Sequence, residues 1–462
     1  MRGLCIPSVV ALAASLPSWA GEFSQWRGPL RNGVVPDSPP LAEAWPQDGP
    51  KELWRSESVL KGGYGSVAVA SGRVYAYVNE AYRVPLVGRT LSEKKLRELG
   101  WSDEKPPEKL AKAVEAARLS RQRADLERDD REEWIDKWIA SHLTAEEQKK
   151  HRRYVVNRLN DGPKAISLDV LARLETIKDK EFPGPEALEK WLAEAGIDGD
   201  VKKSVLRAIP TYVNRAWDRL WCFAAADGKT LWSTKHDAEP ESNASGTPCV
   251  ADGRCYVAGS DGVVYCHDAA DGREIWRTGA CERGGSVHSS VLVADGKAVV
   301  LAGQLVALDA EKGTVLWRRK EVSGSCNSPV AWRSGRKTYV ICNTGGNVAC
   351  VDLADGTVAW QVPGGGRSTA AVDGRHMAVF TGRKKLGLVL YGISPEKAEQ
   401  LWCLPQYEQG ETSPIIHDGS VYLFCREKAV CAELATGKVA WEKTTGSRGC
   451  SSPVVADGKI VA

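Results

Sequence analysis

Over roughly the second half of the chain, short runs of Val, Ile, Leu, Ala, Tyr and Cys alternate with polar turns rich in Asp and Gly. This is the patterning of short, half-buried strands joined by tight hairpins. The runs are in phase with six tryptophans, Trp232, Trp276, Trp317, Trp360, Trp402 and Trp441, at intervals of 44, 41, 43, 42 and 39 residues. A period near 42 is too long for one hairpin and too short for a domain, and it suits one four-stranded propeller blade per repeat. The frames Asp227-Gly228-Lys-Thr-Leu-Trp232, Asp271-Gly272-Arg-Glu-Ile-Trp276, Lys312-Gly313-Thr-Val-Leu-Trp317, Asp355-Gly356-Thr-Val-Ala-Trp360 and Thr436-Gly437-Lys-Val-Ala-Trp441 each place a glycine four residues before the ring. Glycine there supplies the positive φ of a hairpin turn, and the strand that follows carries the indole inward. Trp54, in Glu52-Leu53-Trp54, extends the series to seven, with strand-like Ser66–Val69 and Val74–Val78 after it.

Between these two stretches the period changes. From about Leu91 to Ile209 apolar residues recur at helical spacing, as in Glu108–Leu119 and in the stripe Trp134, Ile135, Trp138, Ile139. Thr144-Ala-Glu-Glu147 has the form of a capping box, and Pro185 opens a helix that carries Trp191. The 25 basic and 25 acidic residues of 91–207 read as solvated helix faces, the cluster Lys149–Arg153 included. The expected architecture is all-β: a seven- to eight-bladed propeller of four-stranded blades with an α-helical insertion in the first blade. Its parts are a propeller start at 21–84, the insertion at 85–217 between the second and third strands of that blade, and blade repeats at 218–462. Ser451–Ala462 looks like the opening of another blade, which either is completed by residues near the N-terminus or, the preferred expectation, is left incomplete because the chain is a fragment.

Composition narrows the setting. Residues 1–20 have a basic start, an apolar run from Cys5 to Leu16 and a Ser18-Trp19-Ala20 cleavage pattern, the features of a secretory signal. No stretch approaches the length of a membrane span, so the expected location is periplasmic or extracellular. Net charge is +3, from 62 basic and 59 acidic residues, and gives no electrostatic case for nucleic acid or an anionic membrane. Apart from Cys5, all 12 cysteines lie between Cys222 and Cys450. Cys222, Cys266, Cys350 and Cys431 each stand six residues before a turn glycine, where a small buried side chain fits. Export makes disulfides an option, and Cys342 with Cys350 or Cys425 with Cys431 could bridge across hairpins.

The Ala-Asp-Gly-Lys/Arg-x-x-Trp repeats resemble the pyrroloquinoline-quinone (PQQ)-like repeats with their tryptophan-docking motif. These occur in quinoprotein dehydrogenases and in the lipoprotein propeller of the outer-membrane β-barrel assembly machinery. Gln25-Trp26-Arg27-Gly28-Pro29-x-Arg31-Asn32-Gly33 resembles the start of exported bacterial propellers of this kind. The resemblance covers roughly 22–84 and 218–462. It implies that Trp54, Trp232, Trp276, Trp317, Trp360, Trp402 and Trp441 pack blade against blade. The dehydrogenases hold PQQ in the central funnel with an adjacent-cysteine disulfide, a calcium ion on carboxylate and amide oxygens, and an Asp base. This chain has no Cys-Cys pair, and no matching Asp/Glu/Asn set is seen at the repeat positions. No metal site or catalytic residue is expected on this reading.

One constellation remains. Ser66, Thr247, Ser290, Ser328, Thr369, Ser413 and Ser452 precede the expected innermost strands and should ring one mouth of the channel. Two residues upstream the ring reads Tyr64, Ser245, His288, Cys326, Arg367, Glu411 and Cys450. His288, Arg367 and Glu411, with Asn327, are the candidate ligand-binding residues, since imidazole and carboxylate can move protons and the guanidinium can hold an anion. The sequence therefore reads as an exported, non-catalytic, monomeric propeller that binds other envelope proteins, the insertion carrying partner specificity. The alternative is a PQQ- and Ca²⁺-dependent oxidoreductase of alcohols or sugars, and a carbohydrate-binding propeller is a third reading.

Overall fold

The structure is a computed structural model and describes residues 22–44, 46–56, 63–103, 105–238, 245–281, 287–324, 326–408, 411–446 and 451–461. The leader expected at 1–20 and Cys450 lie outside the described residues. The chain forms two compact units, one of residues 1–82 with 215–462 and the other of 83–214.

The first unit is a β-propeller. Its first sheet takes its strands in the order Ala68–Ala70, Arg73–Pro85, Tyr212–Ala224 and Thr230–Ala238. Five more four-stranded sheets follow at 249–279, 292–319, 330–363, 371–404 and 415–444. A two-stranded sheet, Val454–Ala456 with Lys459–Val461, comes last. Within each sheet sequential strands lie side by side and antiparallel, and the first strands of successive sheets contact one another. Those first strands therefore line the axis.

The tryptophan frame has a local cause. In the second sheet Trp276 pairs with Cys266 while Glu274 pairs with His267, so Ile275 is an extra residue and the strand bulges. The same shift occurs before Trp232, Trp317, Trp360, Trp402 and Trp441, whose cross-strand partners are Cys222, Ala307, Cys350, Leu390 and Cys431. A bulge re-aims its side chain and adds twist. Here it turns the indole out of its own sheet and onto the next blade's hairpin. The Trp276 Nε1 donates to Ala310 O at 3.1 Å, and a Cβ placed on Gly313 would lie 2.5 Å from the indole. Trp54, Trp232, Trp317 and Trp402 repeat the contact on Ala225, Ala269, Leu353 and Leu434. Trp360 does so on Ser394, in a turn that has no glycine. Trp441 is the most open of those with a stated exposure, at 37 % against 7 % for Trp317.

The hairpin cysteines pack rather than pair. Cys222, Cys249, Cys255, Cys266, Cys281, Cys342, Cys350, Cys403, Cys425 and Cys431 are free thiols. Cys342 pairs with Ala349 and Cys350 with Ile341, so the two thiols point to opposite faces of one sheet and into different hydrophobic clusters. Cys431 faces Tyr422 across the hairpin while Cys425 faces Lys428, which leaves that pair out of register as well. The expectation of cross-hairpin disulfides is corrected on these grounds, because strand alternation puts the sulfurs out of each other's reach.

The second unit is helical, with its longest helices at Arg128–His142 and Ala145–Asp161. Its apolar residues form two clusters, one around Leu96, Leu174, Leu192 and Val205 and one around Val114, Ile139, Val155 and Leu159. Thr144 and Glu147 make the capping box reciprocally. Glu115 sits between the buried guanidinium groups of Arg118 and Arg158. No helix of the described residues is long and apolar enough to cross a membrane.

Candidate functional site

The axis of the propeller carries a chain of hydrogen bonds from blade to blade. Each backbone N–H donates to the hydroxyl of the next blade's equivalent residue: Ser66 to Thr247 at 3.0 Å, Thr247 to Ser290 at 2.9 Å, and Ser290 to Ser328 at 3.0 Å. Ser328 to Thr369 at 3.2 Å, Thr369 to Ser413 at 3.0 Å and Ser413 to Ser452 at 3.0 Å continue it. A short hydroxyl side chain is required at each position, because it must reach a neighbouring strand without filling the channel. The sequence-predicted ring is thus one bonded feature.

On the outer side of this ring lie the upstream residues. Ser245 Oγ and His288 Nδ1 are 2.9 Å apart, and burial, then the Arg367 charge, hold the His288 pKa below its usual value. Arg367 and Glu411 approach to 4.0 Å with side chains 71 % and 53 % exposed, an ion pair of negligible to modest strength. Tyr64 is exposed. His288, Arg367 and Glu411 therefore share one mouth, presenting a neutral imidazole, a solvated cation and a solvated carboxylate. Asn327 is different: it is buried, and its amide donates to Ser368 O at 2.8 Å and Gly366 O at 3.4 Å. Its visible role is to fix the loop that carries Arg367.

On the inner side the channel is filled by residues 23–35. Phe23 bridges Val69, and Val250 N donates to Ser24 O at 2.8 Å. Trp26 Nε1 donates to Thr369 Oγ1 at 3.4 Å, and Arg27 Nη2 to Pro414 O at 2.6 Å. Arg31 donates to Ser290 O at 3.2 Å, to Pro329 O at 2.8 Å, and to Val291 O. Gly33 and Val35 pair with Val455, the donor–acceptor distances being 2.7 and 2.8 Å. One short segment thus touches the first strand, or the residues just before it, in every one of the seven sheets. Arg27 and Arg31 both take left-handed backbone, with φ of 59° and 55°, which turns each guanidinium into the wall.

Residues 218–423 match the PQQ-like repeat family model described as outer membrane protein assembly factor BamB. The repeats between residues 218 and 423 are PQQ-like. Among curated relatives, the quinohemoprotein alcohol dehydrogenase ADH-IIG of Pseudomonas putida is 33 % identical over 175 residues, covering 32 % of this chain and 24 % of the relative. The assembly factor BamB of Moranella endobia (strain PCIT) is 24 % identical over 225 residues, covering 43 % and 57 %. The chain thus spans from about a quarter to a little over half the length of these relatives. Among solved structures, BamB from Moraxella catarrhalis matches with 15 % identity and a TM-score of 0.43, over 54 % of this chain and 75 % of that one.

Two further groups of the propeller carry no signal in the sequence. The buried Asp218 carboxylate accepts from Asn79 Nδ2 at 2.8 Å, Ser260 N at 2.7 Å and Ser260 Oγ at 2.8 Å, tying the first blade to the second. His236 and His267 meet Nε2 to Nε2 at 3.3 Å beside Tyr265. Their residues are far apart in the chain, so no spacing announces either. The inward course of Arg27 and Arg31 was equally hidden, although two arginines in a glycine-rich stretch without an acidic residue nearby were a usable sign.

Proposed function

We propose that this chain is an exported, non-catalytic propeller that binds other envelope proteins, with the helical unit supplying partner specificity. The observation that supports this reading most is the filling of the axis by residues 23–35. In the dehydrogenases that the repeats resemble, the quinone and its calcium ion occupy the central funnel. Here the residues below the Ser/Thr ring do not fit such a group: Arg31 is committed to main-chain carbonyls, and the chain has no adjacent-cysteine pair. Among the described residues no three His, Cys, Asp or Glu side chains are placed to hold a metal ion. The His288, Arg367 and Glu411 mouth stands above this closed floor and is the proposed point of contact for a polar group of a partner.

Affinity capture from an envelope extract tests the reading, using the full chain and a folded variant lacking 85–211. Loss of partners in the deletion supports a specificity role for the helical unit, and retention of every partner refutes it. Alanine at His288, Arg367 and Glu411 together tests the mouth, and unchanged binding removes it from the proposal.

The dehydrogenase relatives favour a second reading, a PQQ-dependent oxidoreductase of alcohols or sugars. It requires quinone absorbance on reconstitution with PQQ and Ca²⁺ and dye-linked oxidation of substrate. Failure to bind PQQ at micromolar concentration eliminates it.

A further inference from the structure

Arg27 and Arg31 are 2 % and 1 % exposed, and the acceptors they meet are main-chain carbonyls and the Gln25 amide oxygen. None of these is a carboxylate. Arg31 uses all three nitrogens. Arg27 does not: only Nη2 is bonded, to Pro414 O and Asn32 O, while its Nε and Nη1 are buried without a partner. Burial lowers the Arg27 pKa to about 9, which still leaves it protonated at neutral pH.

Two guanidinium charges in one closed channel are costly unless something negative accompanies them. Carbonyl dipoles offset part of the charge, but an orphaned buried N–H is a separate penalty that native proteins rarely carry. Water can satisfy a donor and leaves the charge uncompensated. An anion does both. The space is also restrictive on one side, because a Cβ on Gly33 would stand 2.6 Å from Arg27 Nη2 and 3.2 Å from Nε, so the Gly33 backbone lies close against the guanidinium. This favours a compact inorganic ion over an organic carboxylate.

We propose that the channel binds a small inorganic anion of the halide class at the Nε and Nη1 edges of Arg27, as a built-in counter-ion of the axial segment. The site is separate from the His288 mouth and does not depend on the proposed partner binding.

Bromide is the probe. Crystals of the full chain soaked in bromide are expected to show an anomalous peak in hydrogen-bond contact with Arg27 Nε or Nη1. Density there with no anomalous signal means water and overturns the proposal, and this test needs no variant. In solution, replacing gluconate by chloride at constant ionic strength should raise the wild-type Tm by roughly 2–4 °C, the shift expected for ligation of a native-state site. Arg27→Gln should abolish that rise, and an equal rise in the variant would also overturn the proposal.

Discussion

Arg31 Nη1 donates to the backbone carbonyl of Pro329 at 2.8 Å, across 298 residues of chain. With its bonds to Ser290 and Val291, one guanidinium joins the third and fourth sheets to the N-terminal segment. A propeller blade meets only its two neighbours, so closure depends on the weakest junction of the ring. A segment that touches the first strand, or the residues just before it, of every sheet relaxes that dependence.

Arg31→Met is expected to destabilise the propeller by at least ~3 kcal/mol, because it strips donors from several buried carbonyls at once. Arg31→Lys should recover less than half, since one ammonium cannot span acceptors placed for a planar fork. Urea unfolding followed by tryptophan fluorescence measures both. A methionine variant within 1 kcal/mol (about fivefold in the folding equilibrium) of wild type would show that the segment is not a clasp.

Gly313 and Gly296 separate backbone strain from docking. Their φ values are 72° and 69°, but a Cβ on Gly313 meets the Trp276 ring at 2.5 Å while one on Gly296 meets nothing within 4 Å. Gly296→Ala should cost about 1 kcal/mol from the left-handed backbone alone. Gly313→Ala should cost ~2–4 kcal/mol, with overpacking added to that strain. Equal losses in thermal or urea unfolding would mean that the indole contact contributes nothing.

How much of this was legible follows from range. The Trp hairpins with their turn glycines and the capping box at Thr144 are set by residues within one hairpin or one helical turn, and the sequence shows them directly, whereas the bulge before each Trp is visible only in the strand register. The Ser/Thr ring was legible because a repeat multiplies one weak signal seven times. Arg27, Arg31, Asp218 and the His236–His267 pair occur once each and find partners far along the chain, so nothing periodic marks them. The cysteines misled for the opposite reason: spacing suggested pairs, and strand alternation sent Cys342 and Cys350 to different faces.

Ser290→Ala removes the acceptor of the buried Thr247 N–H. The expected loss is ~1–3 kcal/mol, the penalty of an orphaned buried donor. Ser290→Thr should restore most of it, since Thr247 and Thr369 already serve the ring. Native-state hydrogen exchange at Thr247 reports the link itself, and unchanged protection in the alanine variant would refute it.

Acid should weaken the propeller through His267. Burial, and then the charge on His236, lower its pKa to about 4. Its Nδ1 lies 3.1 Å from Gly272 O, so the proton belongs there and Nε2 accepts from His236. Protonating His267 would set two N–H groups against each other. Glu274 and Arg277 face the pair with opposite charges, and Tyr265 stacks on His236. The unfolded chain takes up this proton near the ordinary value of about 6.5 and the folded chain only near 4, so stability falls as pH drops through that window. The full difference corresponds to about 3 kcal/mol. His267→Asn keeps a donor toward Gly272 and cannot titrate, so its urea midpoint should change less between pH 7 and pH 4. An NMR titration placing His267 near 6.5, or an identical acid sensitivity in the variant, would refute the assignment.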